Sequence, residues 1–164
     1  MIREILKLGN PELYEISEEV TEEEYPLVKG WVEDLHDTLM DYRKTYGAGR
    51  AIAAPQIGIK KRLIYMYTDK AYVIVNPVIA FMDEEMNEVT DDCMSFPGLL
   101  VKVMRHNKAR IGYTDENGDT QVMDVEGDLS ELLQHEYDHL HGILATMRAK
   151  DSKSFIMAYM KREF

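Results

Sequence analysis

The stretch His135-Glu136-Tyr137-Asp138-His139 holds two imidazoles four residues apart, with a carboxylate next to the first. On a helix this spacing leaves the two rings roughly 40° apart around the axis, close enough to share one metal ion. Glu136 then lies to one side, where it can reach a water on that ion. Hydrolysis at a metal is the chemistry these residue types offer together. The bland alternative is a solvated helix face with incidental histidines.

A catalytic ion of this kind takes three protein ligands and keeps a position for water. The single cysteine, Cys93, is the natural third. Its flanks, Asp91-Asp92-Cys93-Met94-Ser95-Phe96-Pro97-Gly98, have turn chemistry at the end of a strand, where a side chain projects into a cleft. One cysteine makes no internal disulfide, so its roles are packing, ligation or reactivity, and a buried structural thiol competes with the ligand reading. A further stretch, Gly49-Arg50-Ala51-Ile52-Ala53-Ala54-Pro55-Gln56-Ile57-Gly58, combines small residues that let a ligand approach the backbone with the amide donor of Gln56. It reads equally as a tight, well-packed loop.

The elements that must position these residues follow from periodicity. Gly9-Asn10-Pro11 is a turn signal, and the acidic run 18–24 leads to Pro26, a first-turn residue of a helix. Val28, Trp31, Leu35, Leu39 and Tyr42 give that helix an apolar stripe ending near Gly47-Ala48-Gly49. Residues 62–67 and 72–75 read as paired strands joined by Thr68-Asp69-Lys70, with Asn76-Pro77 ending or bending the second. Strands over 100–104, 108–114 and 120–125 form an antiparallel meander, the last two joined by a hairpin turn with Asn117-Gly118. A helix over 128–141 buries Leu129, Leu132, Leu133 and Leu140, is closed by Gly142 and carries the metal pentapeptide in its middle. A last helix is expected from about Asp151, with Phe155, Ile156, Tyr159 and Met160 on one side. Antiparallel strands with segregated helices make an α+β fold.

Length and charge narrow the function. At 164 residues the chain fits one domain, 1–164, with a sizeable core. A net charge of −11 without a Lys/Arg run disfavours nucleic acid and anionic lipid. The first residues have too short an apolar run for a secretory signal, and no stretch approaches the ~20 apolar residues of a membrane span. These features read as a soluble, cytoplasmic protein.

The three stretches, in this order, resemble the peptide deformylase family: Gly-x-x-x-Ala-Ala-x-Gln at 49–56, Cys-x-Ser at 93–95 and Gln-His-Glu-x-Asp-His-Leu at 134–140. Gly9-Asn10-Pro11-Glu12-Leu13 and Leu140-His141-Gly142-Ile143-Leu144 extend the similarity over most of the chain. The resemblance implies antiparallel sheets around a central helix that carries the metal motif, and removal of the N-formyl group from the formylmethionine of nascent polypeptides. It implies Cys93, His135 and His139 as ligands of one divalent ion, usually iron(II), with zinc, nickel or cobalt as substitutes. A soft sulfur beside two imidazoles suits such metals better than magnesium or calcium. By the family's mechanism metal-bound hydroxide attacks the formyl carbon, with Glu136 as general base and then acid. The metal, the Gln56 amide and the Met94 backbone N–H hold the oxyanion. Gly49, Arg50, Ala51 and Glu131 fall at substrate-binding positions. The partners expected are N-formylated peptides, including nascent chains at the ribosome, for a monomer or weak homodimer.

The chain departs from the family's pattern where substrate binds. Arg50 replaces an aliphatic residue, Ala51 and Asp92 replace glycines, and Asp128 and Glu131 stand where apolar residues line the methionine pocket. Arg50 and Glu131 either pair across the pocket mouth or both point to solvent. Lys102, Arg105 and Lys108 read as scattered surface cations, and Asp138 as support for a histidine ligand. Other readings stay open: a His-Glu-x-x-His peptidase, a relative acting on another formamide or N-acyl amine, and a metal-binding protein without activity. A peptidase usually takes its third ligand downstream, where His141 lies about 200° around the helix from His139 and faces away.

Overall fold

The structure, a computed structural model, describes residues 1–159. After a short 3₁₀ turn at Glu22–Glu24, helix α1 runs Tyr25–Tyr46, with Pro26 in its first turn and Gly47 in the left-handed conformation at its end. Strands β1 (Ala51–Ala53), β2 (Leu63–Tyr67), β3 (Ala71–Phe81), β6 (Lys108–Thr114) and β7 (Thr120–Glu126) form a five-stranded antiparallel sheet in the order β1-β2-β3-β6-β7. Strands β4 (Met86–Asp91), β5 (Leu99–His106) and β8 (Phe155–Met157) form a second sheet in the order β4-β5-β8. Helix α2 spans Asp128–Leu140. This is the α+β arrangement expected, with the motif-bearing helix at its centre.

The period of two along β2 explains the layering. Leu63 and Tyr65 join Val28, Leu35 and Leu39 of α1 in one core cluster, while Ile64 and Met66 join Leu133 and Leu140 of α2 in another. The larger sheet therefore buries both faces, one under each helix. The second sheet closes the other flank of α2 through Val101 and Val103, which pack with Cys93, Leu13 and Leu144. Polar groups fix the helix against the end of β5. The Gln134 side chain accepts from the His106 N–H at 2.9 Å and donates to its carbonyl at 2.7 Å, and Ser130 Oγ donates to the same carbonyl at 2.8 Å. Past the helix, Gly142 has φ +70°, and a Cβ there would lie 2.4 Å from the Tyr14 carbonyl oxygen. Only glycine lets the N-terminal segment cross so close to the end of α2.

Several elements differ from expectation. Residues 51–53, read as a loop, form edge strand β1. Asn76, at φ +49°, bends β3 without ending it, and the strand continues beyond the register shift between Val75 and Val78. β5 does not join a meander with β6, because the one intervening residue, Asn107, cannot close a two-residue hairpin and the chain turns a corner into the other sheet. Leu129 is exposed, while Ser130 and Gln134 take buried positions facing β5. The last helix is absent among the described residues. Asp151 caps a turn by accepting from the Lys153 N–H and the Ser154 hydroxyl, and Phe155–Met157 pairs with the open edge of β5. Phe155 and Tyr159 are exposed, and Met160 lies outside the described residues. Among the described residues no helix is long and apolar enough to cross a membrane.

An ionic chain ties β4, β5 and α2 together. Arg105 of β5 is 3% exposed and donates to Asp138 of α2 at 2.6 Å and to Asp91 of β4 at 2.8 Å. Arg148 closes on Asp138 from the surface side at 2.6 and 2.8 Å. Arg105 is therefore a buried ionic clamp, not a surface cation. Burial pushes the Asp91 carboxyl up, but His135 and Arg105 outweigh it and hold the group at about 2. Removing one partner from such a network leaves buried charge uncompensated, at a cost of about 3–5 kcal/mol. Arg105→Met is expected to lower stability by about that much in urea unfolding of the metal-free protein; a change under about 0.5 kcal/mol contradicts the clamp. Since the folded pKa of Asp91 lies below its usual value, its contribution is complete above about pH 4 and fades as pH falls towards 2. That acid limb should flatten in the variant.

Candidate active site

Three donor atoms converge on one point. Cys93 follows the end of β4, and His135 and His139 sit one turn apart on α2. Their ligand atoms all lie within 4.8 Å of one another, and all three residues are buried. His139 Nε2 is 3.3 Å from Cys93 Sγ and 3.2 Å from His135 Nε2. Bond lengths of about 2.0 Å to nitrogen and 2.3 Å to sulfur in a tetrahedral site place donors roughly 3.3–3.5 Å apart, so this set fits one divalent ion. No other cluster of at least three such groups fits an ion among the described residues. His141 is turned away, its Nδ1 on the Tyr137 carbonyl at 3.1 Å and its Nε2 beside Arg62 at 3.2 Å.

The surroundings orient His135 and Cys93. Asp91 Oδ2 accepts from His135 Nδ1 at 2.9 Å, which leaves the Nε2 lone pair for the site. Asp91 is itself held by Arg105, so the ionic chain runs unbroken from Arg148 at the surface to His135. The support expected from Asp138 is indirect: it binds Arg105 and Arg148 and reaches the ligand only through Arg105 and Asp91. Burial drives the His135 pKa down, but Asp91 and Cys93 reverse this and hold it well above the ordinary value. His139, buried beside His135, is pushed well below. The Ser95 N–H points at Cys93 Sγ at 3.4 Å.

Gln56 is buried in the 3₁₀ turn Ala54–Ile57, and its orientation is fixed at both ends of the amide. Its Oε1 accepts from the Ala53 N–H at 2.9 Å, and its Nε2 donates to Ser95 Oγ at 3.1 Å while lying 3.6 Å from Cys93 Sγ. The donor face is thus turned towards the metal donors. Met94, next to Cys93, is buried and lines the same cleft. Glu136 is 4% exposed, and its Oε2 has no hydrogen-bond partner among the described residues. Burial pushes its carboxyl up to about 7.

These groups open into a cleft of about 620 Å³ between α1, β1, the end of β4 and α2. Gly49, Arg50, Ala51 and Glu131 all line it, as expected. The Arg50 guanidinium pairs with Asp128, not with Glu131, and its second contact to Asp128 is 3.3 Å. Asp128 lies in the first turn of α2, further out towards the mouth, and the pair is largely solvated: the two side chains are 43% and 74% exposed. Gly49, at φ +115°, lies so close to Leu39 and Tyr42 that a Cβ would be 3.2–3.3 Å from their side chains. Arg43 holds this loop by donating to the carbonyls of Gly49 and Tyr67.

Asp91, Arg105 and Arg43 were not foreseen from the sequence. One signal was available for Arg105: Val101 and Val103 set the inward parity of β5, and Arg105 continues it, placing a cation on the buried face.

Comparison with known proteins agrees with this arrangement. The sequence model of the polypeptide deformylase family matches residues 2–155. A peptide deformylase from Leptospira biflexa is 36% identical over 168 residues, covering 94% of this chain and 91% of the relative. One from Thermus thermophilus is 34% identical, covering 88% of this chain and 80% of its own length. Among solved structures, the Thermotoga maritima peptide deformylase superposes with a TM-score of 0.83 at 29% identity, over 92% of this chain and all but 1% of its own, 99% being covered. The Synechococcus elongatus peptide deformylase in complex with actinonin gives 0.82 at 29%, over 90% and 79%. The match extends from the N-terminal segment through α2 to the start of β8, and the chain belongs to the polypeptide deformylase family of hydrolases.

Proposed function

We propose that Cys93, His135 and His139 hold one divalent ion, iron(II) in the cell, and that Glu136 carries the proton as the N-formyl group is hydrolysed from formylmethionyl termini. The observation that carries this reading is the convergence of three buried metal donors with a buried, unpartnered carboxylate and an oriented amide in one cleft. Zinc, nickel and cobalt suit the same sulfur and imidazole donors.

A bound ion would supply Lewis acidity, which would bring the pKa of water to roughly 7 and polarise a carbonyl. Glu136 takes a proton as water adds to the formyl carbon. A buried carboxyl near neutrality both accepts and returns a proton at physiological pH. Gln56 Nε2 and the Met94 N–H donate to the oxygen on which charge develops, and because Gln56 is held at Ala53 and Ser95 little reorganisation is needed. Glu136 then delivers its proton to the leaving nitrogen, the C–N bond breaks, and formate and a free amine separate. β1 is an edge strand, and the backbone from Gly49 to Ala51 beside the cleft offers an extended peptide hydrogen bonds. Chain length, charge and the lone cysteine support a single-domain enzyme in the cytoplasm, a monomer or weak homodimer whose substrates are N-formylated peptides, nascent chains included.

Formate release from formyl-Met-Ala by protein loaded anaerobically with iron(II) tests the reading. Glu136→Gln should retain bound metal and lose about 10²–10⁴-fold in kcat; a variant with near-native turnover contradicts the assigned role. Asp91→Asn removes the acceptor that orients His135 and should weaken metal affinity about 10–100-fold in chelator competition. Unchanged affinity contradicts that contribution.

A further inference from the structure

Most charges around the cleft already have a partner or a task. Arg50 is taken by Asp128, Asp91 by Arg105 and His135, Arg43 by two backbone carbonyls, and Glu136 by proton transfer. Glu131 and the exposed Asp92 line the same cleft with no ion-pair partner among the described residues.

Glu131 stands four residues, about 6 Å of helix rise, before His135 on the same face of α2. Val89 and Leu132 line the cleft with it. The wall therefore offers apolar surface near the reacting centre and a half-buried carboxylate beyond it. Burial, then Asp128 and Asp91, push the Glu131 carboxyl above its usual range, with Arg50 pulling it back in part. A methionine side chain in this place sets its apolar end against a carboxylate that gains no partner, which is costly. A fully extended lysine carries its ammonium about 8–9 Å from the formyl carbon, far enough to pass the apolar surface and reach Glu131.

We propose that the cleft also takes N-formyl substrates whose first side chain is a long aliphatic chain ending in a cation, lysine above all, and that Glu131 is the residue that selects them. This selectivity rests on the formamide hydrolysis proposed above. The Arg50–Asp128 pair keeps Arg50 from neutralising Glu131 directly, and Asp92 adds to the same negative field.

Formyl-Lys-Ala and formyl-norleucyl-Ala differ at the first residue by the ammonium alone. The metal-loaded protein should release formate from both, and the ratio of kcat/KM for lysyl over norleucyl should fall about tenfold in Glu131→Gln and at least as far in Glu131→Leu, through KM more than kcat. The lysyl reaction alone should slow as salt is raised. Release from the norleucyl peptide only, or a ratio that neither substitution moves, overturns the assignment of Glu131 while leaving formamide hydrolysis intact. Release from neither peptide, nor from formyl-Met-Ala, overturns both.

Discussion

The buried position of Arg105 between Asp91 and Asp138 is the constraint on which the rest of the site depends. An arginine at 3% exposure is tolerable only with its charge matched, and the two carboxylates that match it come from different elements. Meeting that requirement fixes the end of β4 against α2. This places Cys93, two residues beyond Asp91, beside His139, 46 residues on in sequence and three strands later. The same Asp91 that satisfies Arg105 sets the ring orientation of His135. Stability and ligand geometry therefore rest on one set of hydrogen bonds.

Inside that frame the chemistry follows from desolvation. Two sheets cover α2 on both flanks, so its polar face is dry, and dryness raises Glu136 towards neutrality while making the hydrogen bonds of the buried Gln56 amide stronger than in water. Only the cleft side stays open, and there the chain carries the charges of Arg50, Asp92, Asp128 and Glu131. The three metal-donor residues and Glu136 lie at the buried end of the cleft, and Arg50, Asp128 and Glu131 line its outer part.

How much of this was legible in the sequence depended on how far apart the interacting residues lie. The histidine pair and Glu136 are read from five consecutive residues, because helical spacing alone brings them together. Cys93 was singled out by the demand for a third ligand and Gln56 as an amide donor in a loop of small residues, and the oxyanion role given to Gln56 came from the family resemblance alone. The Asp91–Arg105–Asp138 chain joins three elements, and no local pattern announces it beyond the inward parity of β5. The same limit explains the C-terminal segment. Asp151 begins a turn as readily as a helix, and only the unpaired edge of β5, invisible in the local sequence, makes residues 155–157 a strand. The change of sheet between β5 and β6 was hidden for a related reason: with the strand read as ending at 104 three residues remain for a hairpin, and only the run of β5 to His106 leaves a loop too short for one. Arg50 found Asp128 because the two charges meet at the solvated mouth, a geometry that their separation in sequence does not reveal.

X-ray absorption spectroscopy of the protein loaded with one equivalent of zinc tests the central claim most directly. The account predicts one sulfur at about 2.3 Å and nitrogen at about 2.0 Å, with the sulfur lost in Cys93→Ser and a nitrogen lost in His139→Ala. A spectrum of nitrogen and oxygen alone in the native protein, or one that neither substitution changes, contradicts a site built from Cys93, His135 and His139.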